Sequence, residues 1–161
     1  MEEILTQVRD GKLSVEEARK QLATYEDLGF AKVDYHRKKR QGFPEVIFGE
    51  GKTPEQMIAI LEAMQKKETD VLVTRVSPEK AKNILSAHPE LTYEEMANIL
   101  YWKAEKEPKK KELESYIAVI CAGTSDLKVA EEAAITAEVL GSRVERFYDV
   151  GVAGIHRLMD Q

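Results

Sequence analysis

Two short β-branched runs, each leading within a few residues into a helix-start signal, constrain the fold of this chain more than any other feature. Val46, Ile47 and Phe48 precede a turn marked by Gly49 and Gly51, followed by Thr53, Pro54, Glu55 and Gln56. That quartet is a capping box with proline at the first helical position, and Met57, Ile58, Ile60, Leu61 and Met64 follow at helical spacing. Val71, Leu72 and Val73 lead in the same way to Ser77 and Pro78, which predicts a helix to about Ala87. Strand, turn and helix in alternation predict an α/β domain. Upstream, Ser14 with Glu17 opens a helix over Val15 to Leu22, after a short helix through Ile4, Leu5 and Val8 that ends at Gly11. A helical hairpin therefore precedes the domain. Thr92 with Glu95 fits a further helix cap, while Ile99, Leu100, Tyr101 and Trp102 suit a strand equally well, so that segment stays open.

Between Lys103 and Glu114 the composition shifts to alternating lysine and glutamate around one proline, the character of a solvated linker. The expected organisation is an N-terminal domain over 1–102, a charged linker over 103–115 and a second unit over 116–161. The length of 161 residues agrees with one domain and part of another. With 43% hydrophobic and 33% charged residues the chain can bury a core. Its net charge of -5 argues against a general nucleic-acid binder, which needs a basic excess. No apolar run reaches the roughly 20 residues that span a bilayer, and the first residues lack a signal-peptide pattern, so no membrane partner and a cytoplasmic address are expected. The single cysteine, Cys121, excludes an internal disulfide and reads as a small core residue.

The last unit reads as βαβα. Tyr116 to Ala122 forms an apolar strand, Gly123 to Asp126 a turn, Leu127 to Leu140 an Ala-rich helix and Val144 to Asp149 a second strand, before a glycine-marked turn and Ile155 to Met159. A strand feeding Gly123, Thr124, Ser125 and Asp126 into a helix is phosphate-binding geometry, because backbone N–H groups and the helix dipole converge there. Ser125 or Asp126 equally reads as a plain helix cap. The second loop, Asp149, Gly151, Gly154, His156 and Arg157, falls at the same carboxyl edge of the sheet. There His156 can serve as an acid/base group and Arg157 as an anion clamp. A basic cluster, His36, Arg37, Lys38, Lys39 and Arg40, abuts a turn in the N-terminal domain and, as charge runs usually do, reads as a solvated loop.

The segment AGTSDLKVAEEAAITAEVLGSRVERFYDVGVAGIHRL, Ala122 to Leu158, resembles the LarB family of nickel-pincer-nucleotide biosynthesis proteins. The carboxylase-like domain of that family is in turn similar to PurE-type aminoimidazole ribonucleotide carboxylase/mutase. LGFAKVDYHRKKRQGFPEVIFGEGKTPEQ, Leu28 to Gln56, and VLVTRVSPE, Val71 to Glu79, resemble the family's N-terminal domain. The resemblance implies an α/β protein whose second unit is the first part of a flavodoxin-like, doubly wound parallel sheet.

It also implies a synthase that carboxylates the pyridinium ring of nicotinic acid adenine dinucleotide with CO2 or bicarbonate. Cleavage of the phosphoanhydride releases AMP and gives pyridinium-3,5-biscarboxylic acid mononucleotide. Carried over by position, Gly123, Thr124, Ser125 and Asp126 contact the nucleotide, and Asp149, Gly151, Gly154 and Arg157 form the second loop. His156 and Asp126 are the catalytic candidates, and Arg37 and Arg40 are dinucleotide or partner-domain contacts. No tightly bound cofactor and no metal site are expected, and a requirement for Mg2+ is left open. The family's nucleophilic cysteine belongs nearer the end of the carboxylase-like domain, so this chain alone is expected to be inactive. A PurE-like carboxylase/mutase and a non-catalytic nucleotide-binding fragment are the alternatives. Two strands and their helices cannot cover both faces of a parallel sheet, so a homo-oligomer through this region is expected.

Overall fold

The computed structural model describes residues 2–104 and 115–160. The stretch 105–114, on which most of the expected linker falls, lies outside the described residues. Helices α1 (Glu2–Arg9) and α2 (Val15–Leu22) form the expected hairpin, with a left-handed Gly11 turning the chain between them. Ser14 caps α2 reciprocally with Glu17, as its spacing predicts. Two three-residue strands, β1 (Tyr25–Asp27) and β2 (Lys32–Asp34), then pair antiparallel. Their sequences hide this hairpin, since Val33 alone among the six residues is buried.

The central sheet holds β3 (Val46–Phe48), β4 (Val71–Thr74), β6 (Ile99–Trp102) and β5 (Thr92–Glu94), in that spatial order. β3 and β4 are parallel and joined through helix α4 (Pro54–Gln65); β6 and β5 add antiparallel. The open segment resolves into a β-hairpin. The cap pattern at Thr92 opens no helix, because the residues up to Glu94 pair with Ile99 to Tyr101. Helix α5 (Pro78–Ala87) starts at the Ser77 cap and ends where expected.

Period-two alternation assigns the two faces of the sheet. Val71, Val73, Leu100 and Ile47 point to one side, where Met57, Ile60, Leu61 and Met64 of α4 and Ala81 and Ile84 of α5 close the main core. Leu72 and Ile99 point to the other side, and there the cover is helix α6 (Leu127–Val139), through Ile135 and Val139. Nothing in the amphipathic pattern of the N-terminal residues announces this second layer.

α6 also bridges β7 (Ile117–Ile120) and β8 (Val144–Phe147), a parallel pair in register from Ile117 opposite Val144 to Ile120 opposite Phe147. A 3-10 turn over Thr124–Asp126 precedes α6, and a second over Val152–Gly154 precedes the one-turn helix α7 (His156–Met159). The βαβα order is therefore present, as part of a mixed α/β fold whose sheets are both parallel and antiparallel. Among the described residues no helix is long and apolar enough to cross a membrane.

Candidate functional site

Parallel pairing brings the carboxyl ends of β7 and β8 to one edge, and the loops that follow are stitched together there. The N–H of Val150 donates to the Cys121 carbonyl at 3.2 Å, and that of Gly151 to the Ala122 carbonyl at 2.9 Å. Glycine is needed at 151 for space: a Cβ there would lie 2.7 Å from the Ala122 oxygen.

On the first loop, Thr124 and Ser125 are exposed. Asp126 turns back, and its Oδ2 accepts the Gly123 N–H at 3.0 Å. Asp126 therefore braces the turn, and its side chain makes no cap hydrogen bond to α6. Cys121 is 7% exposed, with Sγ 3.8 Å from the Gly123 carbonyl, so it sits in the core as expected of a small apolar residue.

On the second loop, Asp149 holds a left-handed backbone (φ 57) and its carboxylate accepts Nη1 of Arg157 at 2.5 Å. Gly154 lets that side chain fold back, since a Cβ there would lie 2.7 Å from Arg157 Nε. The same Nε is shielded from solvent and has no hydrogen-bond partner among the described residues. An unmet buried N–H costs about 1–3 kcal/mol, so an acceptor placed beside it is favoured. His156, at the start of α7, is exposed.

The basic cluster is helical where the sequence suggested a loop beside a turn. Helix α3 (Arg37–Gln41) suits its residues, because arginine, lysine and glutamine are good helix formers and the left-handed Gly42 stops it. Arg37 donates to Gln41 at 2.9 Å and lies over the Phe43 ring, 5.9 Å from its centroid. Arg40 is paired with Asp34 of β2. Arg40 beside it, and the His36 N–H, hold the Asp34 carboxyl below the usual carboxylate range. Among the described residues, no hydrogen bond or ion pair joins Arg37 or Arg40 to the loops after β7 and β8. The sequence-predicted residues thus form two groups, one around the β7/β8 edge and one on α3.

A further concavity of about 420 Å3 opens at the carboxyl ends of β3 and β4, lined by Glu50, Arg75, Ser77, Lys80, Asn98 and, from α6, Lys128 and Glu132. Sequence reasoning passed over it. The available signal was the position of Arg75, directly after a buried parallel strand and just before a helix cap, which is where open α/β sheets expose loop side chains. Among the described residues no group of three or more His, Cys, Asp or Glu is placed to hold a metal ion.

Residues 25–105 match the model of a family described as the LarB/PurE-like N-terminal domain. The chain is also 32% identical, over 166 aligned residues, to an uncharacterized protein, MJ0165, of Methanocaldococcus jannaschii. That alignment covers 98% of the chain and 64% of the relative, so the chain spans about two-thirds of the relative's length at most.

Proposed function

Because the chain belongs to the LarB/PurE-like N-terminal domain family, we propose that it serves a carboxylation in that carboxylase/mutase-type family, with nicotinic acid adenine dinucleotide and CO2 or bicarbonate as substrates. The products are AMP and pyridinium-3,5-biscarboxylic acid mononucleotide. The observation that supports this most is the joining of two loops at the carboxyl edge of β7 and β8, the edge at which parallel sheets receive nucleotides.

The chemistry sets what such a site must supply. A pyridinium ring is too electron-poor to attack CO2, so a nucleophile first adds to a ring carbon, and the displaced π pair makes an enamine. The enamine carbon then forms the new C–C bond to CO2. A base removes the proton from that carbon, and expulsion of the nucleophile restores aromaticity. Separately, water cleaves the phosphoanhydride and AMP departs. In this reading Thr124 and Ser125 hydroxyls hold the nucleotide phosphate, and the Asp126 carboxylate accepts ribose hydroxyls. Arg157, steered by Asp149, meets an anionic oxygen, and the exposed His156 is the proton acceptor. Burial of Cys121 speaks against it as the nucleophile, and the resemblance places that group further along the carboxylase-like domain.

The test is AMP release from nicotinic acid adenine dinucleotide with bicarbonate, run on this chain and on the longer M. jannaschii relative. Turnover by the relative that depends on its counterparts of His156 and Arg157 supports the reading. Dinucleotide that is neither bound nor consumed by either protein overturns it.

A further inference from the structure

The cleft at the carboxyl ends of β3 and β4 has an unequal stock of hydrogen-bonding groups. Each of its acceptor groups already has a protein partner. Arg75 lies 3.8 Å from the Glu50 carboxylate and 3.4 Å from that of Glu132. The Gly49 and Glu50 carbonyls accept Lys80 Nζ at 3.2 and 2.9 Å, and Asn98 Oδ1 lies 3.1 Å from the Tyr93 hydroxyl, whose one hydrogen it shares with the Val76 carbonyl at 2.9 Å.

Its donors are in surplus. Lys80 keeps one N–H, the Ser77 hydroxyl accepts the Lys80 amide and donates to no described residue, and the Asn98 side-chain nitrogen bonds no described residue. Lys128, exposed on the first turn of α6, forms no ion pair with any described residue. Three cations face two carboxylates, and both carboxylates are held by the same half-exposed guanidinium through two long contacts, a weak class of ion pair.

The backbone itself is shaped toward this space. Arg75 (φ 56) and Asn98 (φ 53) are both left-handed, a costly state for arginine that is typical of functional loops. One face of the Arg75 guanidinium covers the Phe48 ring, 5.5 Å from its centroid. Beyond Arg75 the cleft continues into an apolar groove floored by Ile117, Val129 and Ala133.

The geometry points to a binding site for a nucleoside monophosphate: its phosphate on Lys80, Lys128, Ser77 and Asn98, its flat base along Arg75 and the apolar groove. The volume is near the lower end for small-molecule sites, roughly 300–1,000 Å3, which fits one nucleotide. This site is separate from the loops after β7 and β8 and does not rest on the carboxylation reading, because it is read by binding alone.

Calorimetric titration of the chain with AMP at low ionic strength tests it, with inorganic phosphate and adenosine as competitors. Saturable binding is expected, weakened about tenfold or more by Arg75→Ala and by Lys128→Glu, as for loss of a charge-assisted hydrogen bond. Arg143→Ala, a surface cation paired with Glu145 outside the cleft, should leave it unchanged. Phosphate should displace AMP better than adenosine does. The site is overturned if AMP shows no saturable binding, if both cleft variants bind as the parent does, or if adenosine binds as tightly as AMP. Lys128 is exposed, so its variant keeps the test decisive should Arg75→Ala fail to fold.

Discussion

The Gly151 amide donates to the Ala122 carbonyl at 2.9 Å, and Gly49 meets the Thr74 carbonyl in the same manner at 2.8 Å. Each parallel strand pair is thus closed at its carboxyl end by a glycine pressed against the neighbouring strand's backbone. A Cβ would lie 2.7 Å from the oxygen at 151 and 2.8 Å at 49, whereas Gly51 has open space around it. Gly151→Ala and Gly49→Ala should each lower the urea midpoint, at a cost of about 1–3 kcal/mol from forced backbone shifts. Gly51→Ala should leave it nearly unchanged. Equal midpoints for all three variants would remove the close-approach argument.

Arg146 of β8 clamps α6, with Nη1 and Nη2 on the Glu138 carboxylate at 2.6 and 2.9 Å and Nε 3.5 Å from Glu131. Arg146 therefore holds the Glu138 carboxyl below its ordinary range, against a smaller opposing effect of burial. A carboxyl lowered by folding contributes stability above its unfolded value and loses it as pH falls through the lowered value. Arg146→Ala should cost about 1 kcal/mol at neutral pH, given partial solvent screening, and should flatten the acid limb of stability against pH. Denaturant melts across that limb check both, and an unchanged acid limb would show that the clamp carries no pH dependence.

Cys121 should resist alkylation. Its burial and its place under the Gly123 turn predict labelling many times slower in the native chain than in denaturant. Mass spectrometry after timed reaction with iodoacetamide reads the ratio; complete native labelling within the denatured time course contradicts the core placement.

On β7, Ile120 is 61% exposed, and Val152 and Met159, in the turn and helix after β8, are exposed as well. Apolar surface of this kind on a two-stranded pair favours association. We propose self-association through this face, rising with protein concentration in light scattering and suppressed by Ile120→Lys. A monomer that persists at high concentration counts against it.

What the sequence made legible was local. Ser14, Thr53 and Ser77 announce helix starts because a cap bonds the backbone three residues on, and those elements begin where the residues say. Pairings set by distant partners were not readable. β1 and β2 are mostly polar, so no alternation marks them, and Thr92 looks like a cap until β6 is placed beside it. The run from Arg37 to Arg40 reads as a charged loop because charge dominates its pattern, yet the same residues are strong helix formers. At the site, the two glycine-marked loops could be expected to share an edge from strand order alone. The Asp149–Arg157 pair and the brace from Asp126 to Gly123 depend on side-chain directions that spacing does not encode.

The cover that α6 gives to Leu72 and Ile99 separates two notions of a module. Kinship marks out residues 25–105, whereas the helix that shields one side of their sheet comes from Leu127–Val139. Grafted alone into a foreign host, the kindred stretch would arrive with that side bare and would depend on the host for a replacement helix. Recombined into another chain, the segment would need a neighbour able to supply such a lid.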